Sequence, residues 1–87
     1  MCFEYDTTKS SSNREKHGIS FNEAQTLWED NKRIEIRAKT IDEERFLVVG
    51  KIEELHWSAI ITYRESSIRI ISVRRARKTE IALYEST

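Results

Sequence analysis

The sequence predicts one α+β domain in which a meander of strands is flanked by helices. Three observations carry that prediction. A capping signature and an apolar stripe at helical spacing share the stretch "SFNEAQTLW". From residue 33 onward the apolar residues alternate or run in short β-rich blocks, "RIEIR", "RFLVVGK", "HWSAIITY" and "SIRIISV". After about Ala76 the period returns to that of a helix. Helices placed before and after consecutive strands make an α+β arrangement, and a length of 87 residues suits one domain spanning 1–87.

Taken in order, "FEYD" can form a short leading strand. Asp6 is a good N-cap for a helix over 7–17, and Gly18 ends it as the first residue beyond the helix. Ser20 and Glu23 form a capping box for a second helix, whose stripe is Phe21, Ala24, Gln25 and Trp28. "EDNK" closes that helix. "RIEIR" (33–37) alternates strictly, as a half-exposed strand does. "RFLVVGK" (45–51) and "HWSAIITY" (56–63) are joined by a turn at 52–55, and "RESS" turns the chain into "SIRIISV" (67–73). On that last strand regular alternation puts Ile68 and Ile70 on one face and Ile71 and Val73 on the other, the pattern of an interior strand. Ile81, Leu83 and Tyr84 mark the closing helix. The expectation is two N-terminal helices, a four-stranded and mainly antiparallel sheet with room for a short leading strand, and a C-terminal helix.

Charged residues make up 34% of the chain and hydrophobic residues 38%, which fits a soluble globular domain. No apolar run approaches the ~20 residues needed to cross a bilayer, and the N-terminus carries no basic-then-apolar secretion pattern. The single Cys2 has no internal disulfide partner, so a reducing cytoplasm is the expected setting. A chain of this size buries only about 60–65% of its unfolded surface, so a partner would add stability. The formal net charge is +0, but residues 64–78 hold six bases against Glu65 alone. A local positive field on a neutral body suits a site that grips an anion, not a protein that coats nucleic acid non-specifically.

Four blocks, "FEYD", "NREKHGISFNEA", "EERFLVVG" and "IRIISVRRA" followed by Glu80 and Tyr84, closely resemble the BrnT family of type II toxin–antitoxin toxins. The resemblance runs from Phe3 to Tyr84, and the "KHG(I/V)SF" and "RIIS-x-R-x-A" blocks in this order are its most specific part. Tyr63 and the glycine-free "RESS" turn depart from the family pattern. The resemblance implies a RelE-like fold and a metal-independent endoribonuclease that needs no cofactor and blocks translation. It also implies neutralisation by a BrnA-type ribbon–helix–helix antitoxin in a 2:2 heterotetramer, with operator DNA met only through that complex and no membrane partner.

Metal-free RNA cleavage uses the ribose 2′-OH as nucleophile. It needs a base for that hydroxyl, an acid for the leaving 5′-oxygen and cations for the charge on the phosphorane. Arginine suits the last role because its planar fork binds phosphate oxygens in pairs. Arg64 and Arg74, at strand ends, are the favoured phosphate ligands, with Arg69, Arg75 and Lys16 as further RNA contacts. Arg69 and Arg74 differ by an odd number, so on a regular strand they face opposite sides unless the strand bends. The competing reading is that these arginines pair with Glu80, Glu44 and their neighbours.

His17 is the obvious candidate for proton transfer near neutral pH, and a cation at a helix C-terminus is the structural alternative. Glu44 is a candidate general base, or else an arginine's ion-pair partner. His56 reads as an ordinary strand residue and Trp28 as core, while Trp57 is favoured as core with stacking on a base as the alternative. There is no Cys/His spacing for zinc and no glycine-rich phosphate loop. A non-catalytic rival, a degenerate toxin that only holds an antitoxin and co-represses an operon, would use the same arginines.

Overall fold

Asp6 starts the first helix. Its side chain accepts from the backbone N–H groups of Thr8 (2.8 Å) and Lys9 (3.1 Å), and α1 runs Thr7–His17. Gly18 stops it in the left-handed region, at φ 82, a conformation that costs glycine nothing. The computed structural model describes residues 2–40 and 42–87. Before α1, Cys2–Glu4 forms strand β1. After it, Ser20 and Glu23 close the expected capping box over α2, Phe21–Ala24. The second helix is shorter than its stripe implies: after one α-helical turn it tightens into a 3₁₀ segment, Gln25–Glu29. Leu27 is thereby fully buried, while Trp28 is only half-buried, edge-on to Phe3 at 4.9 Å.

The strands follow as β2 (Ile34–Ala38), β3 (Arg45–Ile52), β4 (Leu55–Arg64) and β5 (Ser67–Arg75), and α3 (Lys78–Glu85) closes the fold. They form one sheet in the order β1-β5-β4-β3-β2. The sheet is therefore five-stranded and mixed, not four-stranded: the leading strand forms, and it pairs parallel to β5 while every other pairing is antiparallel. The α+β class holds. Both hairpin turns are two residues long, with Glu53 (φ 57) and Glu65 (φ 43) taking left-handed conformations where glycine is absent.

One face of the sheet carries the main core. Phe21, Ala24 and Leu27 pack there on Val48, Ala59, Ile61, Ile68, Ile70 and Val73. The 3₁₀ segment comes so near that a Cβ on Gly50 would sit 3.1 Å from Leu27 Cδ2 and 3.3 Å from Asp30 Oδ2, so any larger residue there would have to push these side chains back by a few tenths of an ångström. The opposite face holds a smaller cluster, Leu47, Val49 and Tyr84, flanked by Ile34, Ile36 and Ile60. α3 covers only part of this face; of its expected apolar residues Tyr84 is buried, but Ile81 and Leu83 are not, and Glu80 lies as deep as Tyr84.

The expected split of β5 into two buried faces is corrected by a bulge. Ile61 pairs with Ile70, but Ile60 pairs with Ser72, so Ile71 is an extra residue and the alternation resets. Val73 joins Ile68 and Ile70 in the main core instead of facing away from them. β5 lies between β1 and β4, and β4 is the middle strand. Beyond β1, the bare edge of β5 is met by α1. Asn13 accepts from the Val73 N–H (3.2 Å) and donates to the Val73 carbonyl (2.9 Å), as a neighbouring strand would.

Candidate functional site

The bulge decides where the arginines point. Across β4, Arg69 stands opposite Thr62, Ser72 opposite Ile60 and Arg74 opposite Ser58. These residues alternate regularly along β4, so Arg69, Ser72 and Arg74 share one face. It is the face α3 partly covers, and Arg64, two residues beyond Thr62, shares it. The odd spacing that separates Arg69 from Arg74 on a regular strand is cancelled by the extra residue. The two guanidinium groups still do not meet: their positions are roughly 13 Å apart along the strand. Arg74 therefore stands apart from Arg69 along a track of arginines on this face.

At one end of the track two arginines share a carboxylate. Parallel pairing sets Glu4 beside Arg69. Glu4 Oε1 lies 3.8 Å from Arg64 Nε and 3.9 Å from Arg69 Nη1, while Arg64 Nη2 lies 3.8 Å from Glu43. All four side chains are accessible, from 32% for Arg69 to 51% for Arg64, and the contacts are long, so the guanidinium N–H groups remain open to an arriving phosphate. Asp6 borders the group. Its carboxyl is held below the usual range chiefly by the Lys9 and Thr8 N–H groups, with a smaller contribution from the Arg69 charge.

Arg74, at the other end, is committed. Its guanidinium donates to Glu80 through two bonds, Nη1 to Oε1 at 2.8 Å and Nη2 to Oε2 at 2.9 Å. Glu80 is buried and also accepts from Ser58 Oγ (2.8 Å) and from the Arg77 N–H (2.9 Å), which is half of a capping box for α3. The Arg74 fork pulls the Glu80 carboxyl down to about 2 against the opposing effect of burial, and the Arg77 and Ser58 bonds add to the depression.

The remaining candidates stand apart. Arg75 faces the other side and lies over the Trp57 ring, 5.5 Å from its centroid. Glu44 pairs with Arg37 of β2. α1 runs along β5 from the Arg69 side to Val73, which leaves exposed Lys16 and His17 beyond Val73, at the end of β5 away from Arg64. Trp57 is buried in the main core. His56 bonds Glu85 at 2.7 Å and meets Tyr84 edge-on. Glu4 was legible only as part of a strand, because its place beside Arg69 depends on a parallel pairing between the two ends of the chain. Among the described residues no group of three His, Cys, Asp or Glu could hold a metal ion, and no helix is long and apolar enough to cross a membrane.

Residues 5–80 match the family model described as "Ribonuclease toxin, BrnT, of type II toxin-antitoxin system". The chain belongs to the BrnT family. No curated protein matches it significantly. As a BrnT protein it is a ribonuclease toxin of a type II system, built on the RelE-like α+β arrangement that the resemblance implied. BrnT toxins pair with BrnA-type antitoxins. The arginine track on the face that α3 leaves partly open is the feature of this BrnT chain best suited to an RNA backbone.

Proposed function

We propose that this BrnT protein cleaves single-stranded RNA without a divalent metal, on the sheet face that carries Arg64, Arg69 and Glu4. The observation behind this reading is the shared carboxylate: two accessible arginines flank Glu4 at 3.8 and 3.9 Å. A phosphate that takes the two guanidinium groups displaces Glu4 from them and leaves it beside the adjoining ribose. Glu4 then accepts the 2′-OH proton, O2′ bonds to phosphorus, the bond to O5′ breaks, and O5′ takes a proton from solvent on this open face. Arg64 and Arg69 hold the charge of the phosphorane. Arg74 anchors α3 and thereby the far end of the track.

Translation arrest follows from RNA cleavage, and a BrnA-type ribbon–helix–helix antitoxin neutralises the toxin in a 2:2 complex that alone meets operator DNA. The setting is the cytoplasm. The test is cleavage of single-stranded RNA by the purified chain in excess EDTA. The expected products end in 2′,3′-cyclic phosphate and 5′-hydroxyl. Activity that EDTA abolishes and magnesium restores would overturn the reading.

A further inference from the structure

One aromatic ring at the Arg64 end of the sheet is not used by the core: alternation along β4 turns it to the face opposite Arg64, and Glu43, which lines the hollow beside the ring and contacts Arg64, joins the two around the sheet end. Tyr63, the last residue before Arg64 on β4, is 48% exposed. Its ring is held on both sides of its length. Phe46 lies against it at 5.3 Å and 60°, and its hydroxyl donates to Glu35 at 2.5 Å. Beside it is a hollow of about 240 Å³ lined by Glu43, Glu44, Phe46, Thr62 and Tyr63. The loop that supplies the two glutamates is pinned from below: Thr62 Oγ1 donates to the Glu44 carbonyl (2.7 Å) and Thr40 Oγ1 to the Glu43 carbonyl (2.6 Å). Glu44 is engaged by Arg37, whereas among the described residues the Glu43 carboxylate has a single long contact, 3.8 Å to Arg64.

These pieces are what a base subsite needs: a fixed ring face to stack on, room for one base, and a polar edge to read it. We propose that this hollow binds guanine, on the nucleotide adjoining the phosphate held by Arg64 in the function proposed above. When that phosphate takes Arg64, the Glu43 carboxylate is released. Its two oxygens then face the Watson–Crick edge of the base. Guanine offers two adjacent donors there, N1–H and the N2 amine, which match a carboxylate's two acceptors. Adenine and cytosine each turn a ring-nitrogen acceptor toward the carboxylate, and uracil flanks its one N–H with carbonyls. Stacking on Tyr63 supplies affinity for any base, and Glu43 supplies the choice.

The test rests on the reading above only for the position of the phosphate, so it is done on uncleavable RNA. Labelled tetranucleotides that lack the attacking 2′-OH carry guanine, adenine, cytosine or hypoxanthine at one position, and binding is measured by fluorescence anisotropy. The wild-type protein should bind the guanine oligonucleotide about 10-fold more tightly than the adenine one, with hypoxanthine, which lacks the N2 amine, between them. Glu43→Gln should erase that preference and leave adenine binding unchanged. Tyr63→Leu should weaken all four by roughly 5- to 100-fold, and Tyr63→Phe should restore binding because the ring is kept. Equal wild-type affinity for guanine and adenine overturns the proposal without any variant, as does unchanged binding by a folded Tyr63→Leu protein. A guanine preference without cleavage in EDTA would overturn the metal-free mechanism alone.

Discussion

Arg74 grips Glu80 through two parallel hydrogen bonds, 2.8 and 2.9 Å long, and so ties β5 to the helix that follows it. Both side chains are mostly shielded, at 24% and 11% exposure. Removing the arginine strands a buried carboxylate. Arg74→Ala should therefore cost about 2–4 kcal/mol, somewhat less than a fully buried pair. Each kcal/mol lowers the thermal midpoint of a domain this size by roughly 4–8 °C. Calorimetry of the variant checks this, and an unchanged midpoint would show that the pair contributes nothing.

The same pair gives the fold an acid limit. The Glu80 carboxyl drops from 4.5 to about 2 on folding, so the folded state binds its proton less readily than the unfolded chain. Its contribution, about 3 kcal/mol, is complete above pH 4.5 and is lost as pH falls toward 2. Urea melts at intervals between pH 7 and 2.5 should show stability falling in that window. Glu80→Gln should flatten the slope there while lowering stability at pH 7.

Arg64 and Glu4 should behave in the opposite way from Arg74. Both are accessible and their contacts are long, so substitution leaves the midpoint nearly unchanged. Arg64→Ala should cut cleavage by roughly 10²–10³-fold, the range for losing one transition-state charge stabiliser. Glu4→Gln should cut it by roughly 10²–10⁴-fold, as expected for loss of a general base. Cleavage rates across pH, with melting curves on the same samples, separate these outcomes; near-normal turnover in Glu4→Gln would move the base elsewhere.

Asn13 is the least obvious structural residue. Its amide satisfies the Val73 N–H and carbonyl at the bare edge of β5, and its Nδ2 also donates to the Ile19 carbonyl at 2.8 Å. Asn13→Leu leaves three backbone groups without these partners and should cost about 2–4 kcal/mol. Hydrogen exchange at the Val73 amide should quicken with it. Asn13→Asp keeps the acceptor and loses both donations, so it should be similarly destabilising at pH 7.

The elements were legible where local chemistry sets them. Asp6, Gly18, the Ser20–Glu23 capping box and the alternation of "RIEIR" each act within a few residues, and the structure has each in place. What the sequence hid depends on contacts between distant parts of the chain. The bulge at Ile71 has no glycine to announce it, yet it turns Val73 into the core and puts Arg69 and Arg74 on one face. The parallel pairing of β1 with β5 joins Cys2–Glu4 to residues 67–69 and brings Glu4 to the arginines. The charge run in 64–78 marked the region. It did not reveal that Arg74 is bound to Glu80, that Arg75 lies over Trp57, or that Arg64 and Arg69 remain accessible.

His17 provides the last prediction. It is exposed in the final turn of α1, and Gly18 already ends that helix through its N–H to the Arg14 carbonyl at 2.9 Å. The helix approaches β5 at Val73 from the edge and core side, whereas Arg64, Arg69 and Glu4 lie on the opposite face and toward the other end of the strand. A proton donor or acceptor must come within hydrogen-bond reach of the reacting oxygen. His17→Gln should therefore keep its RNA turnover within a few-fold of wild type. Its thermal midpoint should fall by less than about 8 °C, since a charge near a helix C-terminus contributes at most about 1 kcal/mol at an exposed site. The paired measurement is cleavage rate and melting curve on one preparation. A loss of 10²-fold or more in turnover with an unchanged midpoint would place the chemistry at the α1 end of the sheet, with Lys16 and His17, and not at Glu4.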